Sequence, residues 1–275
     1  MLLVFLACWP YPLNSAPATP DAPDSGGAID LVHDSVPDAP LVEGDSCTPD
    51  ISTCPDTTLC CTACCLPDAQ PVCTAADPYG ACPLPDVFFD EETFTSSVRT
   101  ETITVTEEGC AAQEGCVLAV GSRRVVRFNT TVVNLGTADL VMGKPGEWPE
   151  RFQFSECHQH YHYLDFAIYN LRDSTGSVIL TGHKQAFCLA DTMPWVDPLE
   201  VPTYHCLDQG LSVGWADPYG ADLDCQWIDM TDVPDGDYTL EVVANPDLIF
   251  EERDYTNNTV VTPLHIDGDS FVSPR

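Results

Sequence analysis

The strongest constraint on how this chain can fold is its cysteine content, fifteen in 275 residues. Such usage is foreign to a reducing cytosol and implies export to an oxidising compartment, with a framework of disulfides. Eight of them crowd together as Cys47, Cys54, Cys60, Cys61, Cys64, Cys65, Cys73 and Cys82. Cys61 and Cys64 have the spacing of a zinc or redox motif, but no histidine accompanies them, and four disulfides account for the even number better. Residues 47–85 therefore read as a small cysteine-rich disulfide module that needs little core. Docking and spacing are both open as its role.

Upstream, residues 9–46 are rich in Pro, Asp, Ala, Ser and Gly without periodicity, the signature of an extended, disordered linker. Met1 to Cys8 is apolar but lacks the basic residues of a secretory signal. Phe5-Leu6-Ala7-Cys8 resembles a degenerate bacterial lipobox, so residues 1–8 are read as a residual signal or lipobox-like segment. A lipid anchor at Cys8 and a secreted or cell-surface location are the expectations. No stretch reaches the ~18 apolar residues of a membrane helix, so no transmembrane span is expected. Asp and Glu number 43 against 10 Lys and Arg, a formal charge of -33. That balance excludes nucleic acid and anionic membranes as partners and suits a basic substrate, although solubility alone also explains it.

From Val87 onward the pattern becomes short β-branched and aromatic runs broken by Gly, Pro, Asn and Asp, which predicts a mainly β fold with a β-sandwich core. Val125 to Val133 alternates as one strand and stops at Asn134-Leu135-Gly136. Tyr238 to Val243 follows an Asp235-Gly236 turn signal, and Val260 to Ile266 makes a further strand. No segment has the pattern of a long amphipathic helix. Residues 86–268 form the enzyme-sized domain, 269–275 a tail, and a loop-rich stretch from about Gly146 to Trp227 carries the unusual chemistry.

Within that stretch His158, His160 and His162 recur at a spacing of two, so on a strand all three would share one face and converge on one metal. Imidazole suits Cu, Zn, Fe or Ni, and three neutral histidines with an open position also suit a zinc-bound hydroxide. The ligands alone leave the metal open.

Three segments together carry a resemblance: Cys157-His158-Gln159-His160-Tyr161-His162, Gly182-His183-Lys184-Gln185-Ala186-Phe187-Cys188-Leu189-Ala190-Asp191-Thr192, and Asp217-Pro218-Tyr219-Gly220-Ala221-Asp222-Leu223-Asp224-Cys225-Gln226-Trp227-Ile228-Asp229. In this order they resemble the catalytic domain of the lysyl oxidase family, copper-dependent protein-lysine 6-oxidases, over about Asp86 to Ile266. The resemblance implies that His158, His160 and His162 bind Cu(2+), with His183 an additional ligand in an immature state. It also implies that Lys184 and Tyr219 are the catalytic pair, joined as a self-derived lysine tyrosylquinone. Only Lys144 and Lys184 are lysines in this chain. The implied reaction oxidises primary amines, peptidyl lysine or polyamine, to aldehydes with O2, releasing NH3 and H2O2. His205, Asp222 and Asp224 are candidate bases that nothing ranks.

The six remaining cysteines make three bridges, which by the resemblance are Cys110–Cys157, Cys116–Cys225 and Cys188–Cys206. The chain departs from animal members in lacking two further bridges: Met193 to Pro202 has no cysteine, and Trp215 precedes Ala216-Asp217. Substrate range is open for that reason. Glu252 to Asn258 clusters oxygen ligands suited to Ca(2+). By resemblance the site would take Glu252, Asp254, Asn257 and Asn258 with Asp86 and Val87, while an acidic turn is the plainer reading. Two rivals stand beside the oxidase: a non-catalytic β-sandwich adhesion module, and a zinc hydrolase using the same three histidines.

Overall fold

The computed structural model of the chain describes residues 43, 46, 54, 58–62, 70–182, 188–196, 201–268 and 270–272. The readings placed on residues 1–8, Cys8, Cys47, Cys64, Cys65, His183 and Lys184 lie outside the described residues, as does nearly all of 9–46. In chain order the strands are β1 (Thr58–Thr62), β2 (Pro71–Ala75), β3 (Val87–Phe89), β4 (Arg99–Val105), β5 (Gly121–Arg127), β6 (Thr130–Asn134), β7 (Leu140–Gly143), β8 (Phe152–Ser155) and β9 (His160–Tyr163). They continue as β10 (Ala167–Arg172), β11 (Val178–Thr181), β12 (Met193–Pro194), β13 (Gln209–Leu211), β14 (Trp215–Tyr219), β15 (Trp227–Asp229), β16 (Gly236–Ala244), β17 (Thr259–Asp267) and β18 (Ser270–Val272). Two short helices, α1 (Glu91–Ser97) and α2 (Cys110–Gln113), flank β4. Asp90 caps α1, accepting from Thr93 N at 2.8 Å.

A five-stranded sheet ordered β11-β10-β16-β17-β18 faces a four-stranded sheet ordered β12-β14-β6-β3. Their inner faces, including Val87, Phe89 and Val132 on one side and Leu171, Leu240, Val242 and Leu264 on the other, enter one apolar cluster. This is the sandwich that the alternating runs foretell. Phe128 lies at its centre, fully buried, edge-on to Phe94 of α1 at 5.5 Å and to Tyr169 of β10 at 4.9 Å. Each such ring contributes about 1.5–3 kcal/mol by leaving water.

The structure corrects two details of the sequence reading. Val125 to Val133 is not one strand: β5 joins β15 and β4, whereas β6 joins β14 and β3, with the break at Phe128-Asn129. Every residue of β6 is buried, so its two faces both meet protein and no alternation marks it. The stretch from Gly146 to Trp227 is loop-rich as expected, and the strands within it, β8 to β14, are each only two to six residues long. Ser270–Val272 do not trail as a tail but add β18 to the edge of β17.

In the cysteine-rich module β1 and β2 pair as a hairpin, with bridges Cys54–Cys73 and Cys61–Cys82. Cys60 is also disulfide-bonded. The module's exit is pinned to the sandwich where Leu84 O accepts from Thr137 N at 2.8 Å. Gly136 permits this crossing, because a Cβ there would lie 2.5 Å from Asp86 N.

Candidate metal centre

β8 and β9 form a hairpin in which Ser155 pairs with His160. Only His160 and His162 lie on β9, so the expectation of three histidines along one strand is met by two. His158 sits in the connecting turn and is folded back by Gln159, whose φ of 58° is left-handed. The rings nonetheless gather, with centroids 4.9 Å apart for His160–His162, 5.3 Å for His158–His162 and 5.8 Å for His158–His160. The Nε2 atoms of His160 and His162 are 3.1 Å apart. Ligand atoms 2.0–2.1 Å from a shared metal are themselves about 3 Å apart, so this donor set fits a first-row transition ion.

His158 is positioned from two sides. Its backbone N donates to Ser155 Oγ at 3.0 Å, and its Nε2 lies 3.2 Å from Glu114 Oε2. Ser155 Oγ in turn donates to Glu114 Oε1. Glu114 directly follows α2, and the Cys110–Cys157 bridge ties that helix to the residue before His158. Sequence reading missed Glu114, which sits 44 positions away and carries no motif. Glu114 also lies within 4.8 Å of Cys116 and Cys225 sulfurs, but these are bonded to each other and offer no thiolate.

Tyr219 ends β14, paired with Thr130 of β6. Its hydroxyl donates to Asp217 Oδ2 at 2.6 Å and lies 3.0 Å from Cys188 O. Burial, reinforced by the Asp217 charge, holds the phenol well above its ordinary range. Asp217 itself is 5% exposed, and burial raises its carboxyl to about 6 against the pull of hydrogen bonds from Tyr219, Thr192 and Ala190. The loop after Tyr219 is fixed by Arg127 Nη1, which donates to Ala221 O at 2.7 Å, by Asn129 Oδ1, which accepts from Ala221 N at 2.7 Å, and by the Cys116–Cys225 bridge. A third bridge, Cys188–Cys206, closes the segment that follows Lys184. His205, Asp222 and Asp224 are all exposed. Asp217 was legible in principle, because two residues before Tyr219 on a strand is the same face.

At the domain's entry Glu252 is buried among Val87 N at 2.9 Å, Asn245 Nδ2 at 2.8 Å and Asn258 Nδ2 at 2.7 Å. Asn257 Nδ2 donates to Asp86 Oδ1 at 2.7 Å. The Oδ1 atoms of Asn257 and Asn258 are buried with no hydrogen-bond partner among the described residues. Asp254 is exposed and accepts from Thr256 N and Oγ1 at 2.7 and 2.6 Å.

Fold and donor set together define a disulfide-braced β-sandwich bearing a cluster of imidazoles suited to a transition metal. The chain belongs to the lysyl oxidase family: a family model described as Lysyl oxidase matches residues 85–273. It is similar to lysyl oxidase homolog 1 of Homo sapiens, 38% identical over 198 residues, 67% of this chain and 34% of that protein. It is likewise similar to protein-lysine 6-oxidase of Homo sapiens, 38% identical over 199 residues, 67% of this chain and 46% of that protein. Lysyl oxidase homolog 3 of Homo sapiens is 39% identical over 171 residues, 58% of this chain and 22% of that protein. The chain thus spans less than half of each of these relatives.

Proposed function

We propose that residues 86–268 are a copper- and quinone-dependent amine oxidase domain that converts primary amines, peptidyl lysine or polyamine, to aldehydes with O2, NH3 and H2O2 as the other participants. The 3.1 Å approach of His160 and His162 Nε2, with His158 beside them, carries the reading. Bound there, Cu(2+) supplies the one-electron chemistry that links O2 to oxidation of an aromatic ring. His158, His160 and His162 hold it as neutral ligands, with His183 the candidate extra one, and Glu114 orients His158. Tyr219 and Lys184 are the precursors of the lysine tyrosylquinone, and the loops around Tyr219 exclude water and hold its ring. The net charge of -33 raises the local concentration of cationic amines, most strongly at low salt. The orphan amide oxygens of Asn257 and Asn258 fit a structural Ca(2+) shared with Glu252, Asp86 and the Val87 backbone, with Asp254 at its rim. The disulfide framework suits a secreted or cell-surface protein, and Cys8 is the proposed lipid anchor.

The test is quinone staining of protein loaded with copper in air, run beside Lys184→Ala and Tyr219→Phe, with H2O2 release from an amine panel as a second readout. Wild type stains and both variants do not; His160→Ala fails to retain copper. A wild type that binds copper but never stains, or a Lys184→Ala variant that stains equally, refutes the reading. Hydrolysis supported by zinc instead would move the site to the hydrolase rival, and a metal-free chain with neither activity to the adhesion module.

A further inference from the structure

Asp217 does two things with one carboxylate. Oδ2 accepts from Tyr219 at 2.6 Å and from Ala190 N at 3.1 Å, and Oδ1 accepts from Thr192 Oγ1 at 2.7 Å. Cys188 O meets the same phenol at 3.0 Å. Residues 188, 190 and 192 are therefore strung along the Asp217–Tyr219 face of β14. Lys184 lies four residues before Cys188, a reach of roughly 14 Å at full extension. A carboxylate is a costly choice for docking alone, because burying its charge is opposed at every step and a neutral amide could satisfy the same backbone. The phenol bond has the short length of a charge-assisted O–H···O⁻ contact.

We propose that Asp217 accepts the phenolic proton of Tyr219 when the quinone is built, and that the same carboxylate clamps Ala190 and Thr192, in the stretch that follows Lys184 in the sequence. The inference rests on the proposed Lys184–Tyr219 cross-link. In the step, the Tyr219 O–H bond breaks, the proton moves to Asp217 Oδ2, and the electron pair stays on the phenolate oxygen, leaving a ring that is easier to oxidise. Among the described residues, Asp191 and Tyr169 are the other titratable groups acting on the Asp217–Tyr219 pair, and neither β6 nor β12 brings a charged side chain to it. An acceptor must be ionised. Since burial sets the Asp217 carboxyl at about 6, the rate of quinone formation falls as pH drops through that value.

Two measurements decide it. In copper-free protein, hydrogen exchange at the Ala190 amide is slow in wild type and at least about tenfold faster in Asp217→Ala, which removes the acceptor that an amide would keep. In copper-saturated protein, with bound metal checked at each pH, Asp217→Asn forms quinone about a hundredfold or more slowly and loses the inflection near pH 6. Thr192→Val keeps the reaction but moves the inflection to higher pH, since it removes one bond that favours the carboxylate; titration of a histidine would not respond. An Asp217→Asn variant with wild-type rate and profile overturns the proton role, and unchanged exchange at Ala190 overturns the clamp. If Asp217→Asn does not fold, a wild-type rate flat across pH 5 to 7.5 overturns the proposal. A wild type that forms no quinone at all refutes the oxidase reading instead, while the copper-free exchange still tests the clamp.

Discussion

Removing the Cys116–Cys225 bridge should cost this fold about as much as a large-to-small substitution in its core. The two cysteines are 109 residues apart, and closing a loop of about 100 residues is worth about 4.7 kcal/mol in the chain-entropy account. Cys110–Cys157 and Cys188–Cys206 already shorten the unfolded path between them, but loop length enters as a logarithm, and each halving removes only about 0.6 kcal/mol. The expected loss for the double variant Cys116→Ala with Cys225→Ala is therefore about 4 kcal/mol, or a fall in Tm of roughly 8–16 °C. Both sulfurs are buried against Val125 and Trp227, so lost packing acts in the same direction. Reversible urea unfolding of copper-free protein, followed by tryptophan fluorescence with the other bridges verified by thiol count, measures it. A loss below about 1 kcal/mol would mean that the unfolded chain already keeps these residues close, and the entropic argument would fail.

Two further outcomes follow from buried carboxylates with opposite shifts. Asp229 accepts from Arg123 Nε at 2.8 Å, Leu118 N at 3.0 Å and Thr231 Oγ1 at 2.7 Å, and these bonds hold its carboxyl below the ordinary range despite burial. Its stabilisation is complete above the unfolded carboxyl value of about 3.9 and is lost as pH falls through the lower folded value. Asp229→Asn should thus cost about 3–5 kcal/mol at pH 7 by stranding Arg123, with the gap from wild type closing in acid urea titrations; a gap independent of pH sinks the linkage. For Glu252 the sign reverses, since burial raises its carboxyl, and the copper-free fold loses stability as pH rises from the ordinary carboxyl value through the raised one. Added Ca(2+) should then raise the wild-type Tm and leave Glu252→Gln unmoved, and a wild-type Tm indifferent to chelation argues against the cation.

The β class was readable because alternation survives wherever one sheet face meets solvent, as along β17, where buried and exposed residues alternate. It failed at β6, buried on both faces, and at strands too short to show a period. The gathering of the three histidine rings was readable because the residues are close in the sequence. Glu114 and Asp217 were not legible in the same way, the first because only folding brings α2 to the β8–β9 turn, the second because nothing local separates a buried Asp217 from the exposed Asp222 and Asp224 that follow the same tyrosine. His158 was misplaced on a strand because spacing of two cannot distinguish a straight run from a turn that restores the same direction.

That turn has a mechanical consequence. His160 and His162 are cut from one rigid ladder, so their separation is fixed by the pleat, whereas His158 hangs on a hinge made of one left-handed residue and braced by Glu114 and a disulfide. The proposed centre would thus have two donors fixed by one strand and a third carried by a turn. Changes at Gln159, or in the length of the turn, would move the His158 ring relative to the other two while leaving the strand pair untouched.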